Sequence, residues 1–235
     1  MTTMDAAGRP LGSARTDAER AVEKALAGLG AWSGRRIHYA PVSGGLQNNN
    51  WLLTVEGAPK RYIMKIPGAG SEAFIDRAVA NQAARQASAL GIGPEVELFD
   101  PASGIEVIEF LDEYRACTSG DFAQLELAHS VIEHYRALHS AAPLSLTKTV
   151  FDMTDEHLAQ VEELGVALPE DAGSLLAEYA TAKAAMLASG LDLVPCHNDP
   201  MPGNFLVADG LPLKMIDFEF ASNNERAYEI DHFQR

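Results

Sequence analysis

The sequence is poor in cysteine, in basic residues and in long apolar runs, and each shortage excludes something. Two cysteines, Cys117 and Cys196, cannot build a disulfide framework in a chain of 235 residues. They are expected to stay reduced, which suits a cytoplasmic compartment. Lysine and arginine number 18 against 33 aspartates and glutamates, a net charge of −15. That balance argues against a DNA or RNA backbone as a main partner, because phosphate binding needs clustered cations. Acidity aids solubility and suits a cationic small substrate only weakly. No run of about 18 apolar residues occurs, so no membrane span is expected. The N-terminus lacks the basic region and apolar core of a signal peptide, and residues 1–15 are expected to fray.

The chain is long enough to bury one large core or two modest ones. Residues 17–29 read as a helix, with Val22, Leu26 and Leu29 on one face. Three strand patterns follow at 36–41, 51–55 and 61–66. They are joined too closely for parallel crossovers, so an antiparallel sheet is expected. Residues 74–90 have helix composition, and strands are expected at 96–99 and 105–110 around the turn at 100–104. A boundary follows at 111–120. Beyond it Phe122 to His139 reads as a long amphipathic helix, with Leu125, Ala128, Val131, Ile132, Tyr135 and Leu138 inward. Helices at 154–164 and 175–187 come next, then a hairpin of 205–207 with 213–216 around Asp209-Gly210. The expected fold is α+β with two lobes. Residues 1–112 form a sheet-rich N-lobe and 113–235 a helical C-lobe.

The densest chemistry lies near the end: His197-Asn198-Asp199, then Asn204, then Asp217-Phe218-Glu219. An Asp, an Asn five residues on and a second Asp after a hairpin suit phosphoryl transfer. Asp199 is the candidate base for an acceptor hydroxyl. Asn204 offers a neutral oxygen and Asp217 a charged one, a hard donor set suited to Mg2+. The bland alternative is turn chemistry, with Asn198, Asp199 and Asn204 as Asx-turn residues beside Pro200, Pro202 and Gly203. His197 is expected to support the loop through a hydrogen bond. Zinc is not expected, since no cysteine or second histidine has ligand spacing there. His232 is expected at the surface.

Ser43, Gly44 and Gly45 sit in a turn between two predicted strands, where glycines let backbone N–H groups approach phosphate. Ser43, Gln47 or Asn48 could add side-chain donors. Lys65 lies between Met64 and Ile66 on a strand, and a buried lysine is costly unless paired. It is a candidate contact for the α- and β-phosphates, or else an outward residue of an amphipathic strand. Its own counter-ion is Glu72, Asp76 or neither. Glu109 and Leu111 flank Phe110 at a hinge whose backbone could hydrogen-bond an adenine ring, with Ile108, Phe110 and Leu206 packing on it.

These motifs resemble the choline/ethanolamine kinase and aminoglycoside phosphotransferase group, whose fold is protein-kinase-like. The likeness runs through Ser43-Gly44-Gly45-Leu46, Tyr62-Ile63-Met64-Lys65-Ile66, Ile75-Asp76-Arg77, Gly91-Ile92-Gly93-Pro94, Leu138-His139-Ser140 and Cys196-His197-Asn198-Asp199. Ile216-Asp217-Phe218-Glu219-Phe220-Ala221 tilts it toward the choline/ethanolamine branch. The resemblance implies Asp199 as catalytic base, Asn204 and Asp217 as magnesium ligands, ATP as phosphate donor and a small amino alcohol as acceptor. Asp112, Glu113 and Glu219 are candidates for the negative field around a cationic acceptor. Glu219 could equally be a structural hydrogen-bond partner of the catalytic loop. Two departures stand out: Ala80 sits where the family usually has the glutamate partner of the strand lysine, and Glu229 where it tends to have Asp. Family members also continue through C-terminal helices that help form the acceptor pocket, and this chain ends before them. An aminoglycoside-type phosphotransferase and an inactive, nucleotide-binding relative or fragment are the rival expectations. An apolar patch on helix 122–139, if uncovered, would favour a homodimer.

Overall fold

A computed structural model describes residues 8–42, 48–68, 70 and 75–231. The sequence expectations for Ser43, Gly44, Gly45, Gln47, Glu72 and His232 lie outside the described residues.

The N-terminal half is a six-stranded antiparallel sheet. Its strands are β1 (Arg9–Pro10), β2 (Ile37–Val42), β3 (Asn48–Val55), β4 (Tyr62–Pro67), β5 (Val96–Asp100) and β6 (Ile105–Glu109), in spatial order β1-β2-β3-β4-β6-β5. Helix α1 (Asp17–Leu29) precedes the second strand. Thr16 caps it through a box with Glu19, and Gly30 ends it at a φ of 63°. Val22 and Leu26 bury its inner face against Tyr39, Trp51, Leu53, Met64 and Val107 from alternate strand positions.

Two expectations fail here for one physical reason: pairing supplies what local composition lacks. Arg9 and Pro10 are not frayed but pair with Tyr39 and His38. Glu23 of α1 fastens the same segment, its Oε1 accepting from the N–H groups of Gly12, Ser13 and Ala14 at 2.9 Å each and from the Tyr39 hydroxyl at 2.7 Å. Strand β3 also starts earlier than expected. Asn48, Asn49 and Asn50 pair with Pro67, Ile66 and Lys65, so the ladder overrides the low strand preference of asparagine.

Helix α2 (Arg77–Ala89) starts three residues later than its composition suggests, because Asp76 caps it by accepting from Ala78 N and Val79 N. Its buried face, Val79, Ala83 and Ala87, packs into the second core, not into the sheet's own. Helix α3 (Leu125–His139), α4 (Val150–Glu163) and α5 (Ala172–Ser189) make up most of the C-terminal half. The expected 122–139 helix is split: Ser119–Ala123 is a 3-10 turn, and Gln124 is extended before α3 begins. Leu125 therefore opens the helix with 65% exposure instead of facing inward, while Val131, Tyr135 and Leu138 are buried as expected.

Two small sheets complete the half. Strands β7 (Arg115–Ala116), β9 (Phe205–Val207) and β10 (Lys214–Met215) form one, in order β10-β9-β7, and its β9–β10 hairpin is the expected one. The other pairs β8 (Leu193–Cys196) with β11 (Ser222–Glu225), followed by α6 (Arg226–Asp231). The result is the expected α+β fold with a cleft between its two lobes. No helix among the described residues is long and apolar enough to cross a membrane.

Candidate active site

The segment 197–204 leaves β8 and enters β9, and it is held by an unusual density of buried polar contacts. Asn198 has a φ of 66°, a conformation asparagine tolerates better than most residues. Its side chain is fully used. Nδ2 donates to Phe220 O and to Ser222 Oγ, both at 2.8 Å, and Oδ1 accepts from Asn224 Nδ2 at 2.9 Å. Glu229, wholly buried, accepts from the backbone N–H of His197 and of Asn198 through Oε1. Its Oε2 bonds His139 Nε2 at 2.7 Å.

His197 is buried, its ring 4.8 Å from that of Phe218. Nδ1 accepts from Asp199 N at 3.2 Å, which assigns the ring proton to Nε2, donated to Ile216 O at 2.8 Å. His197 thus ties the Asp199 turn to the strand leading into Asp217. Asn204 closes the turn from the other side: Nδ2 donates to Asp199 O at 3.0 Å and to Asp199 Oδ2 at 2.9 Å. Its Oδ1 and the second Asp199 oxygen take no hydrogen bond from the described residues.

Asp217 also has a positive φ, 69°. Strain of this kind costs about 1 kcal/mol or more and persists where surrounding contacts over-determine it. Lys65 Nζ donates to Asp217 Oδ1 at 2.7 Å across the cleft. Burial would lower the Lys65 pKa, but the Asp217, Glu106 and Glu219 carboxylates more than offset it and hold the ammonium above its ordinary value. Burial works to raise Asp217, and Lys65, with His197 and Arg77 behind it, brings it below the usual range instead. Asp76 is not the counter-ion of Lys65, because its carboxylate is taken up by the N-terminus of α2.

Glu219, 8% exposed, reaches from the Asp217 loop to the N-lobe. Its Oε1 accepts from Asn48 Nδ2 and from Arg77 Nη1, the latter at 3.3 Å. Burial, then the neighbouring Asp217 charge, raises its pKa. Asn48 is therefore drawn to Glu219 as a partner across the lobes. Asp112 is not brought to this group. It pairs with Arg61, whose guanidinium lies 4.7 Å from the Phe110 ring centroid, and it does not line the cleft.

The cleft itself is lined by Ile63, Lys65, Ile108, the hinge residues Glu109, Phe110 and Leu111, then Asn204, Leu206, Ile216 and Asp217. One end is apolar and the other carries the ionic groups. Phe110 N is committed to Arg61 O, whereas the N–H of Leu111 makes no hydrogen bond to the described residues.

Reading the sequence missed Asn198 and Arg77 as site components, and noted Glu229 only for its difference from the family. The Asn-Asp pair, a known tolerator of left-handed backbone, was the available signal for Asn198. Folding also gathers His139, Cys196 and Glu229, whose ligand atoms lie within 4.8 Å of one another. No spacing in the sequence announces that cluster, because its members come from α3, β8 and α6.

LicA of Haemophilus influenzae is 24% identical over 196 residues; the match covers 82% of this chain, and the chain spans 57% of that protein's length. A crystal structure of a choline/ethanolamine kinase family protein from Mesorhizobium loti superposes with a TM-score of 0.69 at 27% identity, covering 89% of this chain and 68% of that one. A crystal structure of LicA in complex with AMP gives 0.72 at 22% identity, covering 94% and 76%. At that identity the likeness speaks for the protein-kinase-like fold alone. The choline/ethanolamine kinase family profile matches residues 39–234. That span takes in both lobes and every element that carries the site, so the chain belongs to the choline/ethanolamine kinase family.

Proposed function

We propose that this protein transfers the γ-phosphoryl group of ATP, with Mg2+, to the hydroxyl of choline, ethanolamine or a similar small amino alcohol. The observation that carries the reading is the convergence of Lys65, Asn204 and Asp217 on one cleft with an apolar, hinge-lined end, with Asp199 hydrogen-bonded to Asn204 at its edge. The family profile and the AMP bound to a relative of the same fold support the nucleotide half of the reading.

The residues divide the work by chemistry. Ile63, Ile108, Leu206 and Ile216 offer apolar surface to an adenine ring, and the free N–H of Leu111 offers it a hydrogen bond. The Lys65 ammonium meets the phosphate charge. Asp199 accepts the acceptor hydroxyl's proton through the carboxylate oxygen that Asn204 leaves free. His197, Asn198 and Glu229 hold that carboxylate in place through the backbone. Asn204 Oδ1 and Asp217 would hold magnesium. They fit it: both are hard oxygen donors facing the same cleft, and the Asn204 amide nitrogen is turned away to Asp199. Magnesium bound there would neutralise charge on the transferring phosphate. Glu219 and the acidic surface supply negative field for a cationic acceptor. Two free, buried thiols suit a reducing cytoplasm.

The test is acceptor-dependent ADP release with ATP and magnesium, using choline, ethanolamine and an aminoglycoside, with Asp199→Asn beside the native protein. Turnover with an amino alcohol, reduced about 100- to 10,000-fold in the variant, is the expected result. Turnover with the aminoglycoside alone would move the protein to the antibiotic branch. Nucleotide binding with no turnover on any acceptor would overturn the kinase reading.

A further inference from the structure

Lys65 poses a problem that the proposed function sharpens. Its side chain keeps only 13% exposure, and its one ion pair among the described residues is with Asp217. Asp217 is also the charged magnesium ligand in that reading, so it cannot remain the dedicated counter-ion of Lys65. A buried ammonium left without one is costly to keep charged and in place. Glu219 is already engaged by Asn48 and Arg77.

Among the described residues the remaining carboxylate at Lys65 is Glu106. It stands directly opposite Lys65 in the β4–β6 ladder, so the two side chains leave the same face of the sheet. Its Oε1 accepts from Nδ2 of the buried Asn81 at 2.9 Å, and Asn81 Oδ1 accepts in turn from Arg85 Nε at 3.0 Å. Its Oε2 takes no hydrogen bond from the described residues. Helix α2 turns Ala80 and Ala84 toward the cavity that Lys65, Glu106 and Asp217 share, so the helix supplies space there and no negative charge. While Asp217 holds the ammonium, Lys65 and Glu106 make no ion pair.

We infer that Glu106 is the positioning carboxylate of Lys65, pre-set by Asn81 to hold the ammonium in the cleft once Asp217 is committed to metal. The inference rests on the kinase reading. It assigns the lysine's counter-charge to the neighbouring strand in place of the helix.

The experiment measures the affinity of a non-hydrolysable ATP analogue by calorimetry, with magnesium and with EDTA, for the native protein and for Glu106→Gln, Glu106→Asp and Glu106→Gln combined with Ala80→Glu. Glu106→Gln should weaken binding at least about tenfold with magnesium and much less in EDTA, where Asp217 still holds Lys65. Glu106→Asp keeps the charge and should stay within about threefold of native. Ala80→Glu, which adds a carboxylate to the same cavity, should restore most of the loss. Native affinity in Glu106→Gln would overturn the inference. So would an equal loss with and without magnesium, which marks a purely structural role. If Glu106→Gln fails to fold, a tenfold loss in Glu106→Asp with no magnesium dependence would overturn it as well. A native protein that binds no nucleotide would sink the kinase reading itself, a result distinct from these.

Discussion

Lys65 and Asp217, separated by 152 residues in sequence, meet at 2.7 Å and join the N-terminal sheet to the loop that follows β10. Neither partner has a second ion pair among the described residues. The pair is one of the electrostatic links across the cleft, with Asn48 and Glu219 another, and it couples stability to the site.

Replacing Lys65 with alanine should therefore act twice. It strands a carboxylate that is two-thirds buried, which should cost about 1–3 kcal/mol after allowance for solvent screening. It should also weaken nucleotide binding. Urea denaturation reads the first effect and analogue titration the second; unchanged stability would show that the pair contributes nothing net.

Glu229 should matter more to folding than its distance from the cleft suggests. Its carboxylate satisfies two backbone N–H groups and His139 in a fully buried setting. Glu229→Ala leaves those donors unpaired and should cost on the order of 3 kcal/mol. A variant within 0.5 kcal/mol of native, roughly the spread of an inert surface change, would mean that water takes over the contacts.

Asn198 allows a paired comparison. Asn198→Ala loses three side-chain hydrogen bonds and keeps a β-carbon at positive φ, whereas Asn198→Gly loses the same bonds and relieves the backbone. The glycine variant should be more stable than the alanine variant by about 1 kcal/mol. Equal midpoints in denaturant would show that the left-handed conformation is not strained.

Tyr39 gives a pH signature far from the site. Burial, with its hydrogen bond to Glu23, pushes the phenol from its ordinary 10 up to about 12. A folded-state value above the unfolded one means the contribution is whole below pH 10 and is lost as pH climbs through 12. Melting temperature between pH 9 and 12 should fall more steeply for the native protein than for Tyr39→Phe. Parallel curves would contradict the assignment.

Much of this was legible beforehand, and the reason differs by element. The hairpin of β9 and β10 and the sheet from β2 to β6 announce themselves by local alternation and turn residues. Asp199 and Asn204 fall in one turn and are found hydrogen-bonded to each other there, with Asn204 lining the same cleft as Asp217. What stayed hidden depends on partners far away in sequence. Arg9–Pro10 becomes a strand only because Glu23 and β2 receive it. Asp76 looked like a counter-ion and is a helix cap, since the first turn of α2 has free N–H groups to satisfy. Asp112, a candidate for the negative field around an acceptor, pairs with Arg61 just before β4. Local composition cannot say which of several nearby groups will win a carboxylate.

Helix α2 belongs to neither half alone. Asn81 fastens it to β6, while Gln82 and Gln86 fasten it to the 142–145 segment: Gln82 Oε1 accepts from Ser145 N and Ser145 Oγ, and Gln86 Nε2 donates to Ala142 O. Its alanine face lies in the lower core. Any swing of the sheet away from the 197–204 segment must therefore choose a side, peeling Glu106 and Val96 from Asn81 and Arg85 or dragging the helix off the lower body. The first breaks two side-chain hydrogen bonds, from Asn81 to Glu106 and from Arg85 to Val96 O, and the second disturbs a close-packed face, so the easier path leaves the helix behind as a fixed fulcrum and lets the sheet, with Lys65 and Glu106 aboard together, travel over it.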